Sequence, residues 1–284
     1  MSDDATFRSP AVRRVVARRY GGDGSPIVDT GPIEAAELVA EELPVALAYN
    51  GRSFAVMMAS PADLVDFAVG FSLTEGVVES LDEILAVEEI ELPRGRELAV
   101  TITESRALAL AARRRALAGR TGCGLCGVDS IADALRPVAR LVTPARIAAE
   151  AVVRAVTAFP ADQPFNRQTG ATHAAAFAGP DGTILNLRED VGRHNALDKL
   201  IGAVVDRRLD PAAGFVVVSS RCSYEMVHKT AAAGIPLIAS ISAPTGLAVD
   251  LAEKVGVGLA AYARDGRFTL YAGGERIADE PSFG

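Results

Sequence analysis

The alternation of apolar and polar positions predicts paired strands in the first half of the chain. Residues 44–49 and 53–58 are strand-like runs on either side of Asn50-Gly51. This dipeptide tolerates the positive φ values of a two-residue hairpin turn, so we expect an antiparallel pair there. A second strand pair and a helix are predicted at residues 86–92, 98–102 and 105–118.

A helix is predicted directly after the first hairpin. Apolar residues recur at helical spacing in Leu64, Phe67, Ala68 and Phe71. Ser60 and Pro61 precede them, and these are the residue types that cap a helix and begin its first turn. The pattern therefore predicts a helix with Ser60 as its N-cap, and an α+β organisation for the first half.

The second half alternates strand and helix patterns. In chain order these are a helix at 144–158, strands at 173–177 and 184–187, a helix at 193–206, a strand at 215–219, a helix at 223–233, a strand at 236–241, a helix at 246–255, and a hairpin of strands at 257–263 and 267–272. Alternating strands and helices require parallel pairing through right-handed crossovers, whereas the hairpin adds an antiparallel strand. We therefore predict an α/β protein with two domains: a small N-terminal α+β domain, residues 1–141, and a three-layer α/β/α domain with a mixed sheet, residues 142–284.

The length and net charge of the chain limit the classes of function that are compatible with the sequence. A chain of 284 residues suits one or two globular domains. The 29 Lys and Arg against 36 Asp and Glu give a formal net charge of −7, which predicts neither a nucleic-acid nor a membrane partner. The first residues lack the apolar core of a signal peptide, and three cysteines are too few for a secreted disulfide framework. A cytoplasmic location is expected.

Polar residues follow the ends of three strands predicted in the second half. They are Ser219, Arg221, Thr245, Arg264 and Arg267. Sheets of this kind bind ligands beyond the carboxyl ends of their strands, and hydroxyls, arginines and helix N-terminal amides suit a phosphate-bearing ligand. The same residue types also form ordinary turns and helix caps, so the spacing alone leaves both interpretations open.

Two cysteines share one glycine-rich segment, in which Cys123 and Cys126 are flanked by three glycines. A dinucleotide-binding glycine motif would need a preceding strand, and here an arginine-rich helix precedes it. A structural zinc site would need two further ligands, which only Cys222 or a distant histidine could supply. The pattern favours thiol chemistry. Either Arg120 or the amides at a helix start near Asp129 would lower the thiol pKa, and the alternative is that both are ordinary solvated surface groups. Cys222 follows a buried strand and is expected to be dispensable.

A dense polar cluster lies between a predicted strand and helix, at residues 188–195. Within it, His194 is a candidate for phosphate contact or proton transfer. The alternative is a capping network in which Asp190 or Asn195 satisfies free backbone amides. His173, at the start of another strand, either faces a pocket or is an ordinary strand-end histidine.

In combination these motifs resemble the formate dehydrogenase accessory sulfurtransferase family, FdhD. The matching segments are residues 121–127, 169–175, 188–199, 219–229 and 243–245. The resemblance extends from the strand near Pro44 to Tyr271, which is nearly the whole chain. The Gly-Cys-Gly-x-Cys-Gly segment together with Arg-Glu-Asp-Val-Gly-Arg-His-Asn is specific to it.

The resemblance implies a sulfur carrier with a cytidine-deaminase-like C-terminal domain. Such a protein takes persulfide sulfur from a cysteine desulfurase and passes it to the molybdenum bis(molybdopterin guanine dinucleotide) cofactor of formate dehydrogenase. That cofactor is the sulfuration substrate, and no permanently bound metal is expected. Carried over by position, Cys123 matches the persulfide-bearing cysteine and Cys126 its partner in the loop. The segment associated with cofactor binding matches Tyr262, Ala263, Arg264, Asp265, Gly266 and Arg267.

The implied partners are the cysteine desulfurase and the catalytic subunit of formate dehydrogenase, with a second copy of the chain as a further candidate. Two other functions are weighed against the carrier. A zinc-dependent deaminase would need an acidic residue two positions after a zinc-binding His or Cys, but Ala175 stands there after His173, and no proline precedes the Cys-x-x-Cys. This alternative is disfavoured. A non-catalytic chaperone that only binds the cofactor stays open.

Overall fold

The computed structural model describes residues 9–20, 33–118 and 137–278. Its strands are β1 (Val12–Arg19), β2 (Ile33–Ala40), β3 (Leu43–Tyr49), β4 (Arg52–Ala59), β5 (Ile84–Leu92), β6 (Gly95–Ile102), β7 (Ile147–Ala148), β8 (His173–Ala178), β9 (Ile184–Asp190), β10 (Phe215–Val218), β11 (Leu237–Ser240), β12 (Gly258–Arg264), β13 (Arg267–Ala272) and β14 (Ile277–Ala278). Its helices are α1 (Leu64–Thr74), α2 (Glu104–Ala118), α3 (Ala149–Ala158), α4 (Pro164–Thr169), α5 (Arg193–Asp206), α6 (Tyr224–Ala232) and α7 (Gly246–Val255). None of the helices in these ranges is long and apolar enough to cross a membrane.

The first lobe is a four-stranded sheet in the order β4-β3-β6-β5, and α1 packs on one of its faces. Strands β3 and β4 form the predicted hairpin, and its turn has Asn50 at φ 46° and Gly51 at φ 76°. Strands β3 and β6 are parallel, whereas β5 and β6 are antiparallel. A separate two-stranded ribbon, β1 with β2, precedes this sheet.

The predicted cap of α1 is wrong. The helix begins at Leu64, and its N-cap residue, Asp63, has φ 53° and makes no capping hydrogen bond through its side chain. Ser60 is instead completely buried, and its hydroxyl accepts a hydrogen bond from the backbone N–H of Val191, at 3.1 Å. A distant part of the chain therefore uses the hydroxyl that local sequence assigned to the helix.

The second lobe is a six-stranded mixed sheet in the order β13-β12-β11-β10-β8-β9. Strands β10, β11 and β12 are parallel, and the other pairs are antiparallel. Helices α5, α6 and α7 cover one face, against side chains such as Val216 and Val218. Helix α3 covers the other face, against Phe215 and Val217. The predicted three-layer α/β/α architecture with a mixed sheet is confirmed.

The helix predicted at 144–158 begins later, at Ala149. Residues Ile147–Ala148 form β7, which pairs in parallel with β14. The buried guanidinium of Arg276 donates hydrogen bonds to the carbonyls of Leu141, Thr143 and Gly256. Because these carbonyls accept from Arg276, the segment before Ala149 is held in a non-helical conformation.

The two lobes meet where α1 crosses α5. The crossing is formed by two glycines, since a Cβ atom on Gly70 would lie 1.8 Å from the carbonyl oxygen of Asp198, and one on Gly202 would lie 2.0 Å from that of Asp66. Only glycine permits this separation of the two backbones. We call this contact between the lobes the seam. The domain boundary between residues 141 and 142 stays a prediction.

Candidate functional site

One edge of the six-stranded sheet collects most of the polar residues singled out in the sequence. Parallel strands β10, β11 and β12 all end there, and the antiparallel neighbours bring the start of β8 and the end of β9 to the same edge. Helices α5, α6 and α7 begin directly beyond it. We call it the carboxyl edge. The predicted residues along it are Ser219, Arg221, Thr245, His194 and residues 262–267.

The turn between β12 and β13 presents two arginines side by side. Asp265 at φ 54° and Gly266 at φ 71° form the two-residue turn, and Arg264 pairs with Arg267 across it. Both arginines are exposed. Their guanidinium groups provide charged donors that suit a phosphate group.

Tyr262 has an unusual backbone conformation at the end of β12. Its φ is 49°, a value that a bulky residue rarely adopts, and the pairing with β13 is irregular between Ala261 and Arg264. The N–H of Tyr262 donates to the carbonyl of Ser242 (3.1 Å), and its side chain is 43% exposed. The phenol ring is therefore available beside the arginines. Ala263 lies in the core instead, only 1% exposed, so its side chain is packed away from solvent.

The hydroxyls of Thr245 and Ser219, which were predicted to bind ligand, also make hydrogen bonds within the fold. The side chain of Thr245 accepts from the backbone N–H of Ala248 at 3.3 Å, which caps α7. Ser219 Oγ accepts from the N–H of Ala174 at 2.9 Å and thereby joins β10 to β8. The capping interpretation is correct for Thr245. Arg221 is exposed in the loop after β10.

The acidic residue Glu189 of the 188–195 cluster is structural. Its buried carboxylate accepts from the backbone N–H groups of Phe165 and Asn166, at 2.9 and 2.7 Å, and from the Thr172 hydroxyl. It therefore caps α4 from a distant strand. Arg188, its neighbour, pairs with Asp66 of α1 at 2.7 Å.

Asp190 is the centre of a buried network. One carboxylate oxygen lies 2.6 Å from Lys199 Nζ and accepts from the N–H of Ser60 at 2.9 Å. The other accepts from the N–H of Gly192 at 2.7 Å and from the Asn195 amide at 3.0 Å. Asp190 thus satisfies free backbone N–H groups, as the capping interpretation predicted, whereas the Asn195 amide donates to Asp190 and to the carbonyl of Met58. The network also holds the end of β4 against the second lobe.

A second buried ion pair was missed by the sequence reasoning. Lys229 Nζ donates to both carboxylate oxygens of Asp198, at 2.9 Å each, and to Thr74 and Glu75 of the first lobe. Burial lowers the pKa of Lys229, but the carboxylates of Asp198 and Glu75 outweigh it and hold the pKa above its usual value. The sequence contained one signal of such an ion pair. Between Ala196 and Val204 the predicted α5 has no polar face, so its charged residues are expected to be buried and to pair with charged groups inside the protein.

Two histidines lie at the β8–β9 end of the carboxyl edge. His194 Nε2 is 2.9 Å from a carboxylate oxygen of Glu225, and burial lowers its pKa although the nearby glutamate opposes this. His173 Nδ1 is 3.4 Å from Ser219 Oγ, and the residue is half-buried. Both rings are in position to meet a ligand at this edge.

The cysteines fall into two groups. Cys222 is completely buried, and burial raises the pKa of its thiol to about 12, so it is a poor nucleophile. Cys123, Cys126, Arg120 and Asp129 lie outside the described residues. Within the described ranges, no three His, Cys, Asp or Glu side chains are grouped to hold a metal ion.

Comparison with known proteins identifies the family. Residues 40–278 match the family model of the FdhD/NarQ family. Two relatives named sulfur carrier protein FdhD are 47% identical over 272 residues, in Xanthomonas euvesicatoria pv. vesicatoria (96% of this chain, 94% of the relative), and 49% identical over 247 residues, in Agrobacterium fabrum (87% and 91%). A solved structure of a putative formate dehydrogenase accessory protein from Desulfotalea psychrophila superposes with a TM-score of 0.71 at 26% identity, covering 95% of this chain and all of that one. The chain belongs to the FdhD/NarQ family.

Proposed function

We propose that this chain is a sulfur carrier that takes persulfide sulfur from a cysteine desulfurase and transfers it to the molybdenum bis(molybdopterin guanine dinucleotide) cofactor used by formate dehydrogenase. Its relatives named sulfur carrier protein FdhD support the carrier role, and the similar solved structure of a putative formate dehydrogenase accessory protein supports the connection with formate dehydrogenase. The observation that carries the cofactor part is the convergence of helix N-termini, exposed arginines and an exposed tyrosine at the carboxyl edge.

This edge matches the chemistry of a guanine nucleotide. The N-termini of α5, α6 and α7 place the positive ends of three helix dipoles at this edge, which favours phosphate. Arg264 and Arg267 add charged donors, and the exposed ring of Tyr262 offers a surface on which a base can stack. In this proposal the nucleotide end of the substrate binds near the β12–β13 turn.

The sulfur is carried by Cys123. Its thiolate attacks the outer sulfur of the desulfurase persulfide, so one S–S bond breaks, a new S–S bond forms on Cys123, and the desulfurase cysteine leaves as a thiolate. Cys126 is its partner in the same segment. The Cys123–sulfur bond then breaks, its electron pair leaves with Cys123 as a thiolate, and the outer sulfur passes to the metal of the bound substrate, which must be in a reduced state because it supplies the two electrons that make this sulfur a terminal sulfide ligand.

The test is a loading and activation assay. Incubation with a cysteine desulfurase and cysteine is expected to add the mass of one sulfur atom to Cys123, and C123A should remove both the added mass and the activation of formate dehydrogenase. C222A is the matched control and should load normally because that thiol is buried. Activation that survives in C123A would refute the carrier. Binding of GDP without any sulfur loading would indicate a cofactor-binding chaperone instead.

A further inference from the structure

The β1–β2 ribbon has one face whose side chains are packed and paired within the chain. Val15 is half-buried on this face, and the ribbon contacts α4 of the second lobe. Arg13 of the same face pairs with Glu41 at 2.9 Å. Arg19 pairs with Glu37. The charges of this packed face are therefore satisfied by the ribbon itself.

The opposite face of β1, which we call the outer face, presents Arg14, Val16 and Arg18. All three residues are exposed, and Val16 is 76% exposed although it lies in the middle of the strand. On β2, Leu38 lies opposite Arg14 and is exposed as well. Neither arginine of the outer face forms an ion pair with any residue that the structure describes, in contrast to those of the packed face. The outer face is thus an aliphatic side chain between two uncompensated positive charges.

The side of β1 that points away from β2 is a free strand edge. In an antiparallel pair, alternate residues direct their N–H and C=O groups to the partner strand, and the remaining residues direct theirs away from it. Among the described strands, β1 pairs only with β2. The groups that point away therefore have no strand partner there, and such an edge is a template for one more strand.

The ribbon lies in front of the part of the chain that defines the family. The match to the family model begins at residue 40, whereas β1 ends at Arg19 and β2 ends at Ala40. The seam and the carboxyl edge both lie within the matched part. The function proposed for the carboxyl edge therefore does not account for the exposed residues of the outer face.

We propose that β1 binds an extended segment of a partner protein as a third strand of the ribbon, and that this segment carries an acidic, an aliphatic and a second acidic residue at alternate positions. Side chains directly opposite each other on neighbouring strands interact. A segment in register with Val16 places its aliphatic residue opposite Val16 and its two acids opposite Arg14 and Arg18. The backbone edge then provides affinity, and the two arginines select the acidic segment.

Charge favours this partner over a second copy of the chain. Antiparallel pairing of two β1 strands about Val16 would place Arg14 of each copy opposite Arg18 of the other. Like charges in directly opposite positions destabilise a strand pair. The same arginines that attract an acidic segment therefore oppose self-association through this edge.

The test is the binding of a peptide to the full-length chain. The probe is a capped peptide, Thr-Glu-Thr-Val-Thr-Glu-Thr, titrated into isotope-labelled protein and followed by NMR. We expect shifts centred on residues 12–19 and slower amide exchange at the β1 groups that point away from β2. R14E/R18E should weaken binding by about tenfold or more, because two favourable charge pairs become repulsive. This variant should instead prefer the peptide in which lysine replaces both glutamates, and this rescue excludes damage to the ribbon as the cause.

The matched control is R52E/R94E. It makes the same change of net charge at two exposed arginines of the first lobe, and it should bind the glutamate peptide as the wild type does. Equal weakening in the two double variants would mean that general charge attracts the peptide, and this would overturn the inference.

Backbone pairing is tested by N-methylation of the probe. Methyl groups on the amides of glutamate and valine remove the donors on one edge of the peptide, and methyl groups on the threonine amides remove those on the other edge. Only one of the two methylated peptides should retain its affinity. Equal affinities of the two peptides would show that no strand is added.

Amide exchange of the free protein determines whether the edge is open. The β1 groups that point away from β2 should exchange rapidly without peptide. Protection that grows with protein concentration would assign the edge to a second copy, and protection at every concentration would assign it to the chain itself. Either result, or the absence of shifts in β1 at millimolar peptide, would overturn the inference. None of these measurements depends on sulfur loading, so their outcome leaves the carrier function unaffected.

Discussion

The seam and the carboxyl edge are both rich in polar residues, but these residues have opposite surroundings in the two regions. At the seam the charges are buried and paired: Lys199 with Asp190, and Lys229 with Asp198. At the edge Arg264 and Arg267 are exposed, and Arg193 Nε is buried with no hydrogen-bond partner in the part of the chain that the structure describes. Paired burial indicates a structural role, whereas exposed and unsatisfied donors indicate a place for a ligand.

A single sequence segment serves both regions. Within residues 188–199, the acidic residues Glu189 and Asp190 and the basic Lys199 are buried in the seam or in caps, whereas Arg193 and His194 lie at the edge. Even a motif that is specific to a family therefore divides into residues that hold the fold and residues that the proposed function places near the substrate. Substitutions on the two sides should give effects of different kinds.

The largest expected effect comes from D190A at the seam. It leaves Lys199 buried without its counter-charge and leaves the N–H groups of Ser60 and Gly192 unsatisfied. Removing one partner of a buried ion pair costs about 3–5 kcal/mol of unfolding free energy. Denaturant unfolding followed by circular dichroism measures it.

If D190A does not fold, D190N retains the shape of the side chain and tests the charge alone. Adding K199M to D190N should restore part of the lost stability, because the uncompensated ammonium is then removed. A D190N protein as stable as the wild type would show that the seam does not depend on this ion pair. It would contradict the contrast between a structural seam and a ligand-binding edge.

The second effect is expected at the edge and concerns binding only. R267A removes an exposed guanidinium beside the β12–β13 turn, and it should weaken GDP binding by about 1.5–3 kcal/mol, the contribution of hydrogen bonds to a charged group. Titration calorimetry measures the affinity, and unfolding should be unchanged. R14A, which removes an exposed arginine of the β1–β2 ribbon, is the control. Equal losses in the two variants would mean that general charge, not the edge, attracts the nucleotide.

The third effect returns to the seam and tests its packing instead of its charge. A Cβ atom on Gly202 would meet the Asp66 carbonyl at 2.0 Å, so G202A must push α1 and α5 apart. Overpacking of this kind costs about 1–3 kcal/mol. G246A is the matched control, because nothing lies within 4 Å of a Cβ atom there, and it should keep wild-type stability. An unfolding midpoint that moves no further in G202A than in G246A would contradict the close crossing.

Local sequence predicted the elements of the second lobe closely. The α5 and α7 predictions agree with the structure at both ends, and the Asp265-Gly266 turn has the positive φ values that its residues favour. Predictions failed where a remote group intervened. Ser60 does not cap α1, because its hydroxyl accepts a hydrogen bond from the N–H of Val191. Residues 144–148 are not helical, because Arg276 donates to the Thr143 carbonyl and β14 pairs with residues 147–148. The β1–β2 ribbon, whose strands are separated in sequence, was not predicted.

The sequence by itself determined the alternation of strands and helices, the hairpin turns, the mixed α/β class and the residues that could carry chemistry. These follow from side-chain periodicity and from the φ preferences of single residues, which act over a few positions. Only the tertiary structure decided which polar residues are structural, because the buried carboxylates of Asp190 and Asp198 meet groups far away in the chain, the N–H of Ser60 and the hydroxyl of Thr74. The cost of burying a charge without a partner forces that pairing. The exposed donors at the end of the sheet where three helices begin are the ones that the proposed function assigns to the substrate.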